Sequence, residues 1–293
     1  MDIESKNKFE YFFFKLFVLI FSAMGINRAR HAAKVVAALF FYLIPVRKQT
    51  VIDNLTMAFP DMSEKQIRKM AFGSYTSFAV SLIEIFCLPQ LTPETIRKMV
   101  SFPDFKSVRD TYDQGRGLIV LTAHYGNWEL GAMSIAAQLE TSMSVVVKMQ
   151  RNPYVSEWMN NMREKFGNKV VPLGVSIREI YKEIRNKHLV GMVADQRGPR
   201  EAVRVKFFGR DTAIYTGPAS LAVKTNVPVI VAILIRQKDY SYIAYTEEIT
   251  SHHDETSEEE RVKAITQTYM SILEKYARQY PEHWLWMHKI WKY

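Results

Sequence analysis

A single cysteine in 293 residues excludes a scaffold stapled by internal disulfides and fits a reducing compartment. That residue, Cys87, stands in "LIEIFCLPQ" and reads as a small core side chain. Several short signatures are missing as well. There is no G-x-S-x-G, so a serine-hydrolase elbow is absent. "GPASLAVKT" ends like a phosphate loop but has no glycine before Lys224, and no G-x-G-x-x-G occurs, so nucleotide binding is unsupported. His283 and His288 are five apart with no cysteine nearby in the chain and only Glu282 as an acidic neighbour, and "SHHDE" reads as a solvated linker, so no metal site is expected. Repeats and low-complexity tracts are absent too.

What is present is apolar and basic. Hydrophobic residues make up 48% and the formal net charge is +9. That balance suits nucleic acid, anionic lipid or an acidic partner. The aromatics cluster in N-terminal apolar runs and at the C-terminus rather than in a recognisable nucleic-acid module, so no nucleic acid is expected. "YFFFKLFVLIFSAMGI" and "AAKVVAALFFYLIP" are two apolar stretches flanked or punctuated by Lys15, Arg28, Arg30, Lys34, Arg47 and Lys48. They lack a signal-peptide cleavage pattern and read as a membrane anchor, either one short spanning helix or a helix in the interface. The other reading is a pair of core helices. The terminal "PEHWLWMHKIWKY" fits a membrane-interface belt, a docked tail, or both.

The chain divides into an anchoring segment, 1–48, and a larger domain, 49–293, with a helical lead-in over 49–105 and an α/β core from 106. "FPDMSEKQIRKMAFGSYTSFAVSLIEIF" predicts a helix with a capping box at Ser63–Gln66, and Pro93 opens a short one. From residue 117 buried-strand runs ("GLIVLT", "MSVVVKM", "KVVPL", "HLVGMVAD", "VPVIVAILIR") alternate with helical stretches. "YSYIAYTEEI" predicts a strand beside the last of these, and 196–216 predicts a loop. The fold class is α/β, a mainly parallel mixed sheet flanked by helices, with ligands beyond the carboxyl ends of the strands. "HYGNWE" and "DQRG" both occupy that position.

His124 and Glu129 are five apart, about 140° around an ideal helix, so one continuous helix cannot bring them together. A turn through Gly126 into a helix capped by Asn127 allows them to meet. A carboxylate on one imidazole nitrogen leaves the other as a base able to deprotonate an alcohol. A structural histidine fits the pair equally well when it is taken alone.

"AHYGNWE" resembles the signature of the lipid A biosynthesis (lauroyl/myristoyl) acyltransferases, within the H-x4-D/E glycerolipid acyltransferases. "VIDNLTMAFPD", "RNPYVSEWMNNMREKFG", "ADQRG", "VKFFGRDTAIYTGPASLAVKTNVPVI" and "PEHWLWMHKIWK" match the same family in order, over nearly the whole chain. The resemblance implies transfer of a fatty acyl group from acyl-carrier protein, or from acyl-CoA, to a hydroxyl of a lipid A precursor. It implies no cofactor, and it places the chain on the cytoplasmic face of a bacterial inner membrane. His124 is then the general base and Glu129 its orienter. Asn127, Arg151, Arg163, Asp195, Arg197 and Lys206 are implied substrate contacts, Arg163 and Arg197 holding phosphate or sugar. Asp195 would orient Arg197 or bind a hydroxyl. His283, Ile290 and "KMQR" depart from the family pattern and bear on acceptor and donor choice. A lysophospholipid, aminolipid or glycolipid acceptor stays open, as does a non-catalytic protein that binds anionic lipid.

Overall fold

The computed structural model describes residues 2–174, 177–250 and 257–293, and only the backbone at Ile177. The expected "SHHDE" linker lies outside the described residues.

Helices lead. α1 (Ile3–Met24) and α2 (Ile26–His31) meet at Gly25, whose φ of +73° makes the bend. α3 (Ala33–Ala38) runs on into a π turn over Leu39–Leu43, and the two apolar halves of this segment stand at 112° to each other. α4 (Lys48–Ala58) follows, then α5 (Glu64–Cys87), whose first turn carries the predicted capping box between Ser63 and Gln66. α5 is long and apolar enough to cross a membrane, but it is mostly buried within the protein and serves as its core helix. One side of α1 docks on the body: Phe14 packs edge-on against Phe86 of α5 and Trp158, and Phe21 stacks on Phe86. α6 (Pro93–Met99), capped by Thr92, closes the lead-in.

A seven-stranded sheet follows. Its strands are β1 (Val100–Ser101), β2 (Leu118–Thr122), β3 (Met143–Val147), β4 (Lys169–Pro172), β5 (Leu189–Val193), then β8 (Val229–Arg236) and β9 (Tyr242–Glu248). They lie in the order β1-β9-β8-β2-β5-β3-β4. Every pairing is parallel except β8 with β9. β2 and β8 are near-continuous apolar runs because both faces of the sheet are covered. α7 (Phe105–Asp113), α8 (Trp128–Leu139), α9 (Pro153–Lys165), α10 (Ile177–Arg185), α11 (Gly217–Thr225) and α12 (Glu258–Gln279) flank it.

The expected loop over 196–216 instead contains a hairpin, β6 (Arg204–Phe207) and β7 (Arg210–Ala213). Phe208 and Gly209, both at positive φ, make its two-residue turn. Val205 and Phe207 are buried while Arg204 and Lys206 are exposed, the alternation of a one-sided hairpin. The C-terminal tail docks: Trp284 and Trp286 are among the largest fully buried side chains, so they do not form an interface belt.

Candidate active site

β2 and β5 are neighbours in register, with Thr122 opposite Val193. Two residues further along each strand stand His124 and Asp195. The sheet therefore brings together two side chains 71 positions apart. His124 Nδ1 lies 2.8 Å from Asp195 Oδ1, and the His124 amide donates to Asp195 Oδ2 at 2.9 Å. Trp284 Nε1 donates to the same oxygen at 2.9 Å. Asp195 is fully buried. Burial pushes its carboxyl up, but the charge and hydrogen bond of His124, with help from His288 and Trp284, hold it well below the usual range. Burial likewise pulls His124 down. The charge and hydrogen bond of Asp195 and the charge of Glu129 outweigh this, so His124 stays above an ordinary imidazole. An ionised Asp195 accepts from Nδ1–H and leaves Nε2 as the base.

This corrects the expected orienter. Glu129, in the first turn of α8, is held in a two-pronged pair by Arg163 of α9, Nη2 to Oε1 at 2.6 Å and Nε to Oε2 at 2.9 Å. Both side chains are buried. Geometry decides: an arginine fork matches both carboxylate oxygens at once, and Glu129 reaches His124 only through its charge.

The turn between them is tight. Gly126 sits at φ +55°, and a Cβ there would lie 2.4 Å from the Leu234 carbonyl oxygen, so no larger residue fits. The Gly126 amide donates to the His283 carbonyl, and the Leu285 amide to the His124 carbonyl, at 2.9 Å each, which pins the turn to the C-terminal tail. Asn127 caps α8 as expected, its Oδ1 accepting from the Leu130 amide at 3.1 Å. It is fully buried, however, and its Nδ2 donates to Glu84, so it faces protein where a substrate contact was expected.

Beside the pair lies a cavity of about 690 Å³. Val120, Thr122, Met143, Val145, Ala232 and Leu234 are among the strand residues that give it a sheet wall, with Gly191 of β5 beside them. Ala132 and Ile135 of α8 and Met159 of α9 line it too, while His124, Trp128, Glu129 and Arg163 add its polar part. Lys148, Gln150 and Arg151 also border it, and Arg151 pairs with Glu10 of α1 at 2.8 Å. Arg197 and Lys206 are not part of this lining. Arg197 donates to the Lys289 carbonyl and stacks over Tyr293, so it neither contacts Asp195 nor reaches the cavity. Lys206 pairs with Asp211 across the hairpin.

Sequence reasoning missed two contributors. Trp284 fixes Asp195 from the tail. His288, which has no acidic neighbour in the chain, gains one in the fold: His124, Asp195 and His288 bring potential ligand atoms within 4.8 Å of one another. Burial, and the charges of His124 and Arg47, pull His288 below its ordinary value, against the upward pull of Asp195. Its Nε2 is buried without a hydrogen-bond partner among the described residues.

Over 252 residues the chain is 24% identical to the lipid A biosynthesis lauroyltransferase of Escherichia coli K12, covering 84% of this chain and 79% of that protein. It is 24% identical over 249 residues, with the same coverage, to the lipid A biosynthesis palmitoleoyltransferase of that organism. A phosphatidylinositol mannoside acyltransferase of Mycolicibacterium smegmatis is 25% identical over 224 residues, 75% of this chain and 71% of that protein. The family model for bacterial lipid A biosynthesis acyltransferases matches residues 4–293, and the chain belongs to that family of membrane-associated acyltransferases.

Proposed function

We propose that this chain transfers a fatty acyl group from acyl-carrier protein to a hydroxyl of a lipid A precursor at the cytoplasmic face of a bacterial inner membrane. The observation that carries this reading is the His124–Asp195 pair on the wall of a mainly apolar cavity. His124 Nε2 takes the acceptor hydroxyl's proton as the oxygen attacks the thioester carbonyl. Asp195 stabilises the imidazolium that forms. The tetrahedral intermediate collapses, the C–S bond breaks, and the imidazolium returns the proton to the departing thiolate. The acyl chain occupies the cavity, where each buried methylene contributes about 0.8 kcal/mol. A thioester carries its own activation, so this route calls on no cofactor.

The basic charge balance suits an acidic carrier protein. α1 docks one side on the body and leaves Phe12, Leu16 and Leu19 on its other side exposed, which supports a segment lying in the interface. The likeness to a phosphatidylinositol mannoside acyltransferase favours one second reading, the same chemistry on a glycolipid hydroxyl. Acyl-CoA would serve the same route as donor.

Mass spectrometry of lipids acylated by the purified protein, with acyl-carrier-protein thioesters and candidate acceptors, tests the proposal. One added acyl chain on the lipid A precursor is expected, with the rate falling at least about a thousandfold in folded His124→Ala. Transfer only to another glycolipid selects the second reading, and near-normal transfer by His124→Ala overturns the mechanism.

A further inference from the structure

Behind the catalytic turn runs a buried polar chain that the transfer chemistry does not use. It starts in the N-terminal segment. Arg30 of α2 lies directly after the bend at Gly25 and is only 6% exposed. Its Nε donates to Glu84 Oε1 at 2.8 Å, and its guanidinium lies over the Tyr240 ring. Glu84, on α5, is 0% exposed. Its second oxygen accepts from Asn127 Nδ2 at 2.9 Å and from the Tyr242 hydroxyl at 2.5 Å. Asn127 closes the chain by capping α8. A parallel strut joins the same two elements: Arg236 holds Ser81 Oγ, which donates to the Gly126 carbonyl at 2.6 Å.

The chemistry of this chain is directional. An amide side chain has an acceptor end and a donor end, and nothing intrinsic chooses which end faces α8. A carboxylate only accepts, so Glu84 draws the NH₂ toward itself and leaves the oxygen for the Leu130 amide. A carboxylate with no exposure needs an opposite charge; Arg30 supplies it by direct contact, and Arg236 adds a second cation that reaches Glu84 through the Tyr242 hydroxyl. A buried ion pair adds little stability over apolar packing, so its position between the anchor segment and the active-site turn argues for orientation.

We propose that Arg30 is a positioning residue. Through Glu84 and Asn127 it couples the seating of the N-terminal apolar segment to the turn that holds His124 and starts the Glu129 helix. The inference rests on the proposed role of His124, and two readouts separate the two claims. The first is amide hydrogen exchange of the full chain in detergent micelles. Arg30→Ala should speed exchange of 124–131 by about tenfold or more, with β5 and α12 unchanged. Uniform acceleration, or none in 124–131, contradicts the coupling whether or not the chain transfers acyl groups.

The second readout is a cycle of Arg30→Ala, Asn127→Ala and the double variant, assayed for transfer from acyl-carrier protein. Each single change should lower kcat by about tenfold to a hundredfold with KM nearly kept, and the double should be no worse than either. Arg30→Lys, which keeps the charge, should recover most of the rate. Additive losses, or a normal kcat in Arg30→Ala, overturn the proposal. Transfer retained in His124→Ala counts against the mechanism alone. If Arg30→Ala does not fold, Arg30→Gln carries both readouts with the same expectations.

Discussion

At the scale of residues, the site depends on which carboxylate meets which cation. Glu129 is the nearer acid in the chain, and the H-x4-E spacing makes it the natural partner for His124. The fold gives that place to Asp195 and gives Glu129 to Arg163. The histidine was legible because a strand end in an α/β chain marks a ligand site. The partner was not, because strand order decides it and no local pattern encodes strand order. The Glu129–Arg163 pair makes a stability prediction. Arg163→Ala leaves a carboxylate buried without its fork, a loss of about 3–5 kcal/mol. Arg163→Met with Glu129→Gln leaves no such charge and should recover much of that loss. Urea unfolding of the two proteins checks it, and equal losses would show that the pair is incidental to stability.

At the scale of elements, apolar runs and caps were readable. β2, β3, β4, β5 and β8 fall on the predicted runs, and α5 begins at the predicted capping box. The hairpin β6–β7 was hidden because its strands are four residues each and rich in arginine, lysine and aspartate. Its alternating burial and the "FG" turn were the available signals. β1 has only two residues, and its place at the sheet edge depends on β9, over a hundred positions away. The tail of Trp284 and Trp286 was open between a membrane belt and a docked tail, because tryptophans near lysines look alike in both; the fold takes the docked tail.

At the scale of the whole molecule, an apolar surface asks for a membrane. Phe9, Phe12, Phe13, Leu16, Leu19 and Ile20 are all exposed, at the spacing of one helical face. Val35, Leu39, Phe40 and Leu43 extend the apolar surface beyond the bend, and Lys15, Arg28 and Lys34 are exposed beside it. A patch of this kind on a monomer marks an interaction surface, and the cationic company suits anionic lipid. In vesicle flotation the protein should rise with anionic vesicles and less so with neutral ones. The triple change Phe12→Asp, Leu16→Asp, Leu19→Asp should leave it at the bottom of the gradient. Unchanged flotation would place membrane contact elsewhere.

These scales meet at His124. The groups facing it are Asp195, Glu129 and His288, with Trp128 edge-on at 4.9 Å between ring centroids. Burial pulls its pKa down, but the charge and hydrogen bond of Asp195 and the charge of Glu129 outweigh it and raise the pKa, so the neutral base appears only as pH climbs above the ordinary imidazole value of about 6.5. Replacing Asp195 by asparagine removes the main upward pull and leaves burial opposed by Glu129 alone. The direct measurement is kcat/KM for acyl transfer against pH, for the unaltered protein and for Asp195→Asn. An acidic limb above about pH 6.5 is expected, moving down in the variant, with a lower plateau. An acidic limb that stays in place in Asp195→Asn would contradict the His124–Asp195 base.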